Sequence, residues 1–298
     1  MNVRAARSED VDAVAALIAA YDASLDAPPD TTADDLRDEW RELDLTRDAW
    51  LLELDGRLAG FGCVYGKPER LHADGYVHPD FRGRGLGARI VELAEARARE
   101  VGAALLRNGT LHADAAGRAL LEAHGYAYVR SFLRMAIELD GEPAAPDLPD
   151  GLRLDGFRDG DAEAVHAANQ EAFADHWGHV HEPYDAWRAR RLEPADTSLW
   201  LVVRDGDEIA ATAFNDIRFG GGWVGALGTR PAWRGRGLGR ALLLASFGRF
   251  HERGERRVQL GVDSENPTGA VRLYESAGME VVWRADLYEK ALSAVCLG

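Results

Sequence analysis

Apolar and polar positions alternate along this chain in a pattern that occurs twice. In the first occurrence a short alternating run, Asn2 to Ala6, precedes a helical-period segment opened by Ser8 or Asp10, both residues that favour helix starts. Two apolar, strand-like runs then meet at Asp55-Gly56, a dipeptide suited to a tight hairpin. A further strand ending near Val77 leads into a glycine-rich loop and a long amphipathic helix from about Leu86 to Val101. A strand from Ala104 to Arg107, a helix from Ala115 to Ala123 and a last strand complete the series. The second occurrence runs in the same order. It has a strand from Leu152 to Phe157, a helix opened by Asp159 or Asp161, a hairpin at Asp205-Gly206, and a strand ending near Thr229. A long helix from about Leu238 to Arg253, a strand from Val258 to Val262, a helix from Thr268 to Ser276 and a last strand follow.

The repeat is visible in the residues themselves. Pro79-Asp-Phe-Arg-Gly-Arg-Gly-Leu-Gly87 returns as Pro231-Ala-Trp-Arg-Gly-Arg-Gly-Leu-Gly239, an offset of 231 − 79 = 152. Trp50 to Gly56 aligns with Trp200 to Gly206 at 150, Arg7 with Arg158 at 151, and His124-Gly-Tyr126 with Ala277-Gly-Met279 at 153. Four landmarks in one order at a nearly constant offset indicate one fold present twice. Leu139 to Gly151 holds three prolines and two glycines without apolar periodicity, as a linker does. The predicted organisation is a domain over residues 1–139, a linker over 140–151, and a domain over 152–298. Strands alternate with helices but include hairpins. Each domain is therefore expected to be α/β, with a mixed sheet flanked by helices.

Composition narrows the partners. The chain has 298 residues, which at roughly 100–200 residues per domain also suggests two. Its 50 acidic and 35 basic residues give a net charge of −15, which disfavours nucleic acid and anionic membrane surfaces. Only Lys67 and Lys290 are lysines, so arginine at any one position says little about anion recognition. Cys63 sits in an apolar run, Cys296 lies far from it, and neither belongs to a disulfide framework or a CxxC motif. The first residues lack a signal-peptide apolar stretch, and no run of about 18 apolar residues exists, so a cytoplasmic location is expected.

The chemistry concentrates in RGRGLG. A helix start leaves its first backbone amides without intrahelical acceptors and carries the positive end of the helix dipole. Glycines let an anion approach that backbone closely. A phosphate or pyrophosphate site is therefore predicted at each long helix. The GxGxG spacing differs from a dinucleotide fingerprint, and the lysine and hydroxyl of a P-loop are absent.

On these residues the chain resembles the GNAT superfamily of N-acyltransferases. Arg82-Gly-Arg-Gly-Leu-Gly87 and Arg234-Gly-Arg-Gly-Leu-Gly239 look like its acyl-CoA loop. Asn266-Pro-Thr-Gly-Ala-Val-Arg-Leu-Tyr274-Glu-Ser-Ala-Gly278-Met resembles its Asn…Ala-x-x-Leu-Tyr-x-x-x-Gly-Phe signature, with one extra residue and Met279 in place of Phe. The tandem layout resembles that of the mycothiol synthases. The resemblance implies two tandem GNAT-like domains, each with a largely antiparallel twisted sheet. It implies acetyl-CoA as donor and acetylation of a primary amine on a small molecule, with no metal. It carries the cofactor role to Leu227, Gly228, Thr229, Arg234, Gly235, Arg236, Gly237, Leu238, Gly239, Arg240 and Asn266. In the first copy it carries that role to Tyr76, Val77, Arg82, Gly83, Arg84, Gly85, Leu86 and Gly87. It assigns Tyr274 as the proton donor to the departing thiolate. The first copy has Leu121 there, so chemistry is expected in the second copy and the first is expected to be degenerate. The two positions at which relatives carry a general base hold no carboxylate here.

For the acceptor, residues 173–187 gather Asp175, His176, Trp177, His179, Glu182 and Tyr184. Asp175 or Glu182 could pair with a cationic amine, and His176 or His179 could take its proton. Packing of the aromatics with the polar residues in solvent is the alternative for this segment. Two other functions fit the sequence: a non-catalytic acyl-CoA-binding or regulatory module, and an aminoglycoside-type antibiotic acetyltransferase. Either a monomer or a homodimer is compatible with it.

Overall fold

A computed structural model describes residues 1–28 and 31–292; Cys296 lies outside them. The first half of the chain folds as β1 (Asn2–Ala5), α1 (Val11–Ala23), α2 (Ala33–Trp40), α3 (Leu45–Asp48), β2 (Ala49–Leu54), β3 (Arg57–Lys67) and β4 (Arg70–Val77). It continues with α4 (Leu86–Glu100), β5 (Leu105–Leu111), α5 (Ala115–Ala123) and β6 (Ala127–Glu138). The second half repeats the order with β7 (Leu152–Gly156), α6 (Ala162–Phe173), α7 (Tyr184–Trp187), β8 (Leu201–Asp205), β9 (Glu208–Arg218) and β10 (Gly221–Thr229). It closes with α8 (Leu238–Glu252), β11 (Arg257–Asp263), α9 (Ala270–Ser276) and β12 (Glu280–Ala291). No helix or strand occurs between residues 139 and 151.

Two compact units result, and they are not the two contiguous halves read from the repeat. The first comprises Met1–Phe132 with Val282–Gly298, the second Leu133–Val281. The reason is the last strand of each copy. Ala285 to Ala291 of β12 pair antiparallel with Leu111 to Leu105 of β5, in the first unit. The part of β6 from Leu133 onward lies beside β11, in the second. In each unit the remaining strands follow one scheme. Successive antiparallel pairs run from the first strand to the fourth, and one parallel pair joins β4 to β5 or β10 to β11.

Amphipathic patterning decides which faces are covered. On α4, Leu86, Ile90, Val91, Ala94 and Ala98 are buried at helical spacing against the sheet. On α8, Leu238, Leu242, Leu243, Phe247 and Phe250 are buried, and Phe250 lies so close to Gly222 that an added Cβ would stand 2.5 Å from its ring. Cys63 is a core residue of the first unit, where burial pushes its thiol well up.

The drift in repeat offset has local causes. Asp55 and Gly56, both left-handed (φ 53° and 75°), form the first hairpin turn. In the second copy Asp205 joins the ladder opposite Glu208, and the turn moves one residue on, to Gly206-Asp207. The left-handed position thus falls on Gly206 (φ 59°), where it carries no Cβ penalty. Asp205 instead accepts a hydrogen bond from Trp233 Nε1 at 2.9 Å. The strand registers keep an offset of 151 on both sides of this turn, and an inserted residue sits in β10. Leu71 aligns with Gly222 at 151 and Val77 with Thr229 at 152, and between them the β9–β10 register breaks at a bulge between Val224 and Ala226.

Candidate active site

In both units the parallel strand pair opens part-way along. The β4–β5 register covers Leu71 to Ala73 with Leu106 to Asn108, yet the strands continue to Val77 and Leu111. The β10–β11 register covers Gly222 to Val224 with Val258 to Leu260, and those strands continue to Thr229 and Asp263. Beyond these registers the facing backbone groups are not engaged in the ladder. The glycine-rich loop and its helix begin at this opening.

The two loops share one conformation. Gly83 and Gly85 have φ of 74° and 80°; Gly235 and Gly237 have 75° and 82°. Among the described residues nothing lies within 4 Å of where a Cβ would stand at any of the four, so backbone angle and not crowding requires glycine there. The last glycine of the motif has another role. A Cβ on Gly87 would approach Leu120 Cδ2 to 2.9 Å, and one on Gly239 would approach Leu273 Cδ1 to 3.1 Å. That glycine lets the shorter helix pack on the first turn of the longer one. Among the described residues, the amides of residues 83–88 and 235–240 find no protein acceptor; the first helical hydrogen bonds are Arg89 N to Gly85 O and Ala241 N to Gly237 O. Each loop therefore presents a ring of unused donors at a helix N-terminus, the geometry that a pyrophosphate fits.

The first arginine of the motif turns away from this ring. Arg234 binds Asp175 through both terminal nitrogens (2.6 and 3.1 Å), the Ala172 carbonyl (2.9 Å) and the Thr229 carbonyl (3.2 Å). It ties the loop to the C-terminal end of α6, where a cation is favoured by the helix dipole. Arg82 does the same in the first unit, bonding Ser24 Oγ at 2.7 Å at the end of α1 and lying over the Tyr21 ring. These arginines position the loop.

In the first unit a cavity of about 310 Å³ opens at the loop. Val77, Gly85, Thr110, Gly117 and Leu121 line it, and Tyr21 reaches it from α1, donating to Asp114 at 2.9 Å. Tyr76 stacks on Phe61 beneath (centroids 6.5 Å apart).

In the second unit Tyr274 follows Leu273, the residue packed on Gly239. Its side chain is 8% exposed, and among the described residues nothing hydrogen-bonds its hydroxyl. Burial alone pushes the phenol up to about 12, so it keeps its proton at neutral pH. Asn266 caps the turn before α9, its side-chain oxygen accepting from Thr268 N at 2.9 Å. Leu227 packs into the core; Gly228 lies under α6, where a Cβ would meet Phe173 at 2.7 Å.

These features match a known family. The profile of the Acetyltransferase (GNAT) family matches residues 15–126 and 162–279, once in each copy. The chain belongs to the GNAT family of acetyltransferases. A mycothiol acetyltransferase of Thermobispora bispora is 37% identical, over 80% of this chain and 82% of its own. The crystal structure of a GCN5-related N-acetyltransferase from Sphaerobacter thermophilus is 35% identical, with a TM-score of 0.89 over 97% of this chain and 95% of that one. A tandem GNAT protein from the clavulanic acid biosynthesis pathway shares the fold at 19% identity, with a TM-score of 0.76 over 97% and 98% of the two chains. The protein is thus an N-acetyltransferase of the tandem GNAT type, and among the described residues no helix is long and apolar enough to cross a membrane.

The segment singled out for the acceptor is only partly available. Asp175 is engaged by Arg234, which holds its carboxyl below the usual range. Glu182 is bound by Arg190 through two bonds (2.9 and 2.7 Å) and is likewise held low. Its carbonyl accepts from His166 Nε2 at 2.8 Å, and Tyr184 packs on His166 and Trp187 in the core below. Trp177 is 37% exposed. His176, half-buried against Phe173 (centroids 4.5 Å), has its pKa lowered by burial, so the ring is neutral at neutral pH. Among the described residues, no group of three metal-capable side chains forms, His176, His179 and His181 included. Missing from the sequence reading is Arg191, whose guanidinium lies 5.8 Å above the Phe214 ring. It stands in no motif, and only the fold brings it to this face.

Proposed function

We propose that the second unit transfers the acetyl group of acetyl-CoA to a primary amine of a small molecule. The amides of residues 235–240 hold the pyrophosphate. The backbone of β10 from the bulge to Thr229, free on its β11 side, supplies donors to the thioester oxygen as negative charge develops there. The amine nitrogen bonds to the carbonyl carbon, the C–S bond breaks, and Tyr274 gives its proton to the sulfur. His176 takes the proton the amine releases. In this reading the first unit holds acyl-CoA at its own loop without turnover, because Leu121 has no proton to give.

The observation that carries the reading is Tyr274, a buried residue whose hydroxyl has no hydrogen-bond partner among the described residues. A thiol-release assay with acetyl-CoA and a panel of small amines, run on the full chain and on Tyr274→Phe, tests it. Release that depends on both amine and Tyr274 supports the reading. Absence of release with every amine overturns it in favour of a binding module. The 37% identity to a mycothiol acetyltransferase favours a second reading in which the acceptor is a mycothiol precursor, and such an amine belongs in the panel.

A further inference from the structure

On the acceptor face of the second unit Asp175 and Glu182 are already paired with arginines, while Arg191 and Arg218 have no carboxylate partner among the described residues. Side chains alternate across a strand. Gly222 faces α8 through Phe250, so Trp223 points to the opposite side, where α6 and α7 lie. Its cross-strand partner there is Asp216, and that of Ala226 is Phe214. The Trp223 indole spans from Gly225, the bulge residue, to Gly261 of β11; Cβ atoms on these glycines would stand 3.4 and 3.6 Å from it. An aromatic floor of Phe214 and Trp223 thus runs directly beside the bulge.

Arg191 sits over this floor at Phe214, and Arg218 lies 4.2 Å from the Phe219 centroid and 5.8 Å from that of Trp223. Among the described residues neither has a hydrogen-bonded carboxylate. The other charges here are accounted for. Glu182 is bound by Arg190, Asp216 accepts from the Ile217 amide at 2.8 Å, Asp263 lies at the end of β11, and Arg134 shares Phe219 and Trp223 while interacting elsewhere as well. Arg191 is half-buried, and burial together with Arg190 pulls its pKa below the ordinary guanidinium value. A desolvated cation without a counter-ion is unfavourable until an anion reaches it. Arg134, Arg191 and Arg218 against Asp216 and Asp263 leave a local charge of about +1, matched to a monoanion, in a chain of net charge −15.

We propose that the acceptor is an amino acid: an amine whose own carboxylate is held by Arg191 and Arg218 above Phe214 and Trp223. The proposal rests on acetyl transfer by the second unit, and it names the acceptor class. A planar guanidinium meets a carboxylate through two parallel hydrogen bonds, which fixes the orientation of the amine as well as its affinity.

The test is thiol release by the full chain with acetyl-CoA and the proteinogenic L-amino acids, each beside its carboxamide, with simple uncharged alkylamines as a third set. The expected result is that the preferred acid exceeds its carboxamide in kcat/KM by about tenfold or more, chiefly through KM. Arg191→Gln closes that gap, and Arg191→Lys retains part of it, which separates loss of charge from loss of fold. Carboxamides or alkylamines turned over as well as the acids, or a gap that survives in Arg191→Gln and Arg218→Gln alike, overturn this inference and leave acetyl transfer standing. No release with any of the three sets overturns the acetyl-transfer reading itself.

Discussion

The glycine-rich loops of the two units agree to within a few degrees in φ at their left-handed glycines, yet the groups around them have diverged. Among the described residues both loops leave their amides without protein acceptors, and the first arginines clamp the ends of α1 and α6. Where the second unit has Tyr274, the first has Leu121, buried in its own core and lining the cavity. β10 carries a bulge at the opening; β4 pairs with β3 in unbroken register from Arg70 to Val77. The first unit instead places Tyr21 at its opening, bonded to Asp114, and burial and that carboxylate raise the phenol's pKa. On the proposed reading, anion binding depends on backbone angles and survives side-chain change, whereas proton transfer depends on one side chain and is lost with it.

The comparison breaks most easily at Tyr274. Tyr274→Phe is expected to lower kcat by about 10²–10³-fold, in the range of general acid catalysis, with KM for acetyl-CoA little changed. Steady-state kinetics of thiol release check it. Adding Leu121→Tyr to that variant is expected to restore nothing, because β4 also lacks the bulge that shifts the β10 backbone against β9 beside the opening. Recovery of turnover in the double variant would show that a phenol alone separates the two units.

The loops provide the next test, with a smaller effect. Gly237→Val forces a β-branched residue to φ near 82° and puts a side chain beside the amides. KM for acetyl-CoA is expected to rise at least about tenfold. Gly85→Val makes the same change in the first unit and is expected to leave turnover within about twofold while removing one CoA site from a calorimetric titration. If Gly85→Val abolishes turnover, the assignment of chemistry to the second unit fails.

How much of this was legible in the sequence depended on whether the cause was local. Glycine and proline punctuate, so the strand end at Val77, the helix Ala115–Ala123 and the turn at Asp55-Gly56 were readable directly. The bulge was present only within the drift in offset from 150 at Trp50–Gly56 to 152 at the glycine-rich loop, since Gly225 among other glycines gives no signal of its own. The last strands carry ordinary alternation, and nothing within β6 or β12 says which unit each will join; that is decided by pairing partners far away in the chain. The acceptor segment misled for a related reason. Asp175 and Glu182 look available until the fold brings Arg234 and Arg190 onto them, and Arg191 looks like any exposed arginine until it is seen over Phe214.

Two smaller effects sharpen the contrast on the acceptor side. Burial lowers the pKa of His176, so the ring is in its proton-accepting form through the neutral range, and kcat/KM is expected to fall only as pH drops below the ordinary imidazole range. His176→Gln should remove that acidic limb from the pH–rate profile and lower the plateau about tenfold; an unchanged limb would assign it to another group. Folding that favours a neutral histidine also makes stability fall as pH falls below about 6.5, because the unfolded chain then binds the extra proton. Asp175→Asn has the smallest expected effect. Its carboxylate is 49% exposed and its partner Arg234 is 29% exposed, so the ion pair contributes on the order of 0.5–1 kcal/mol, or roughly 1–4 °C in melting temperature. If Asp175 positions the loop, that modest loss comes with acceptor KM nearly unchanged. If it instead held the acceptor's ammonium group, acceptor KM would rise about tenfold while melting stayed put. One thermal melt and one saturation curve on a single variant therefore separate a clamp from a binding site.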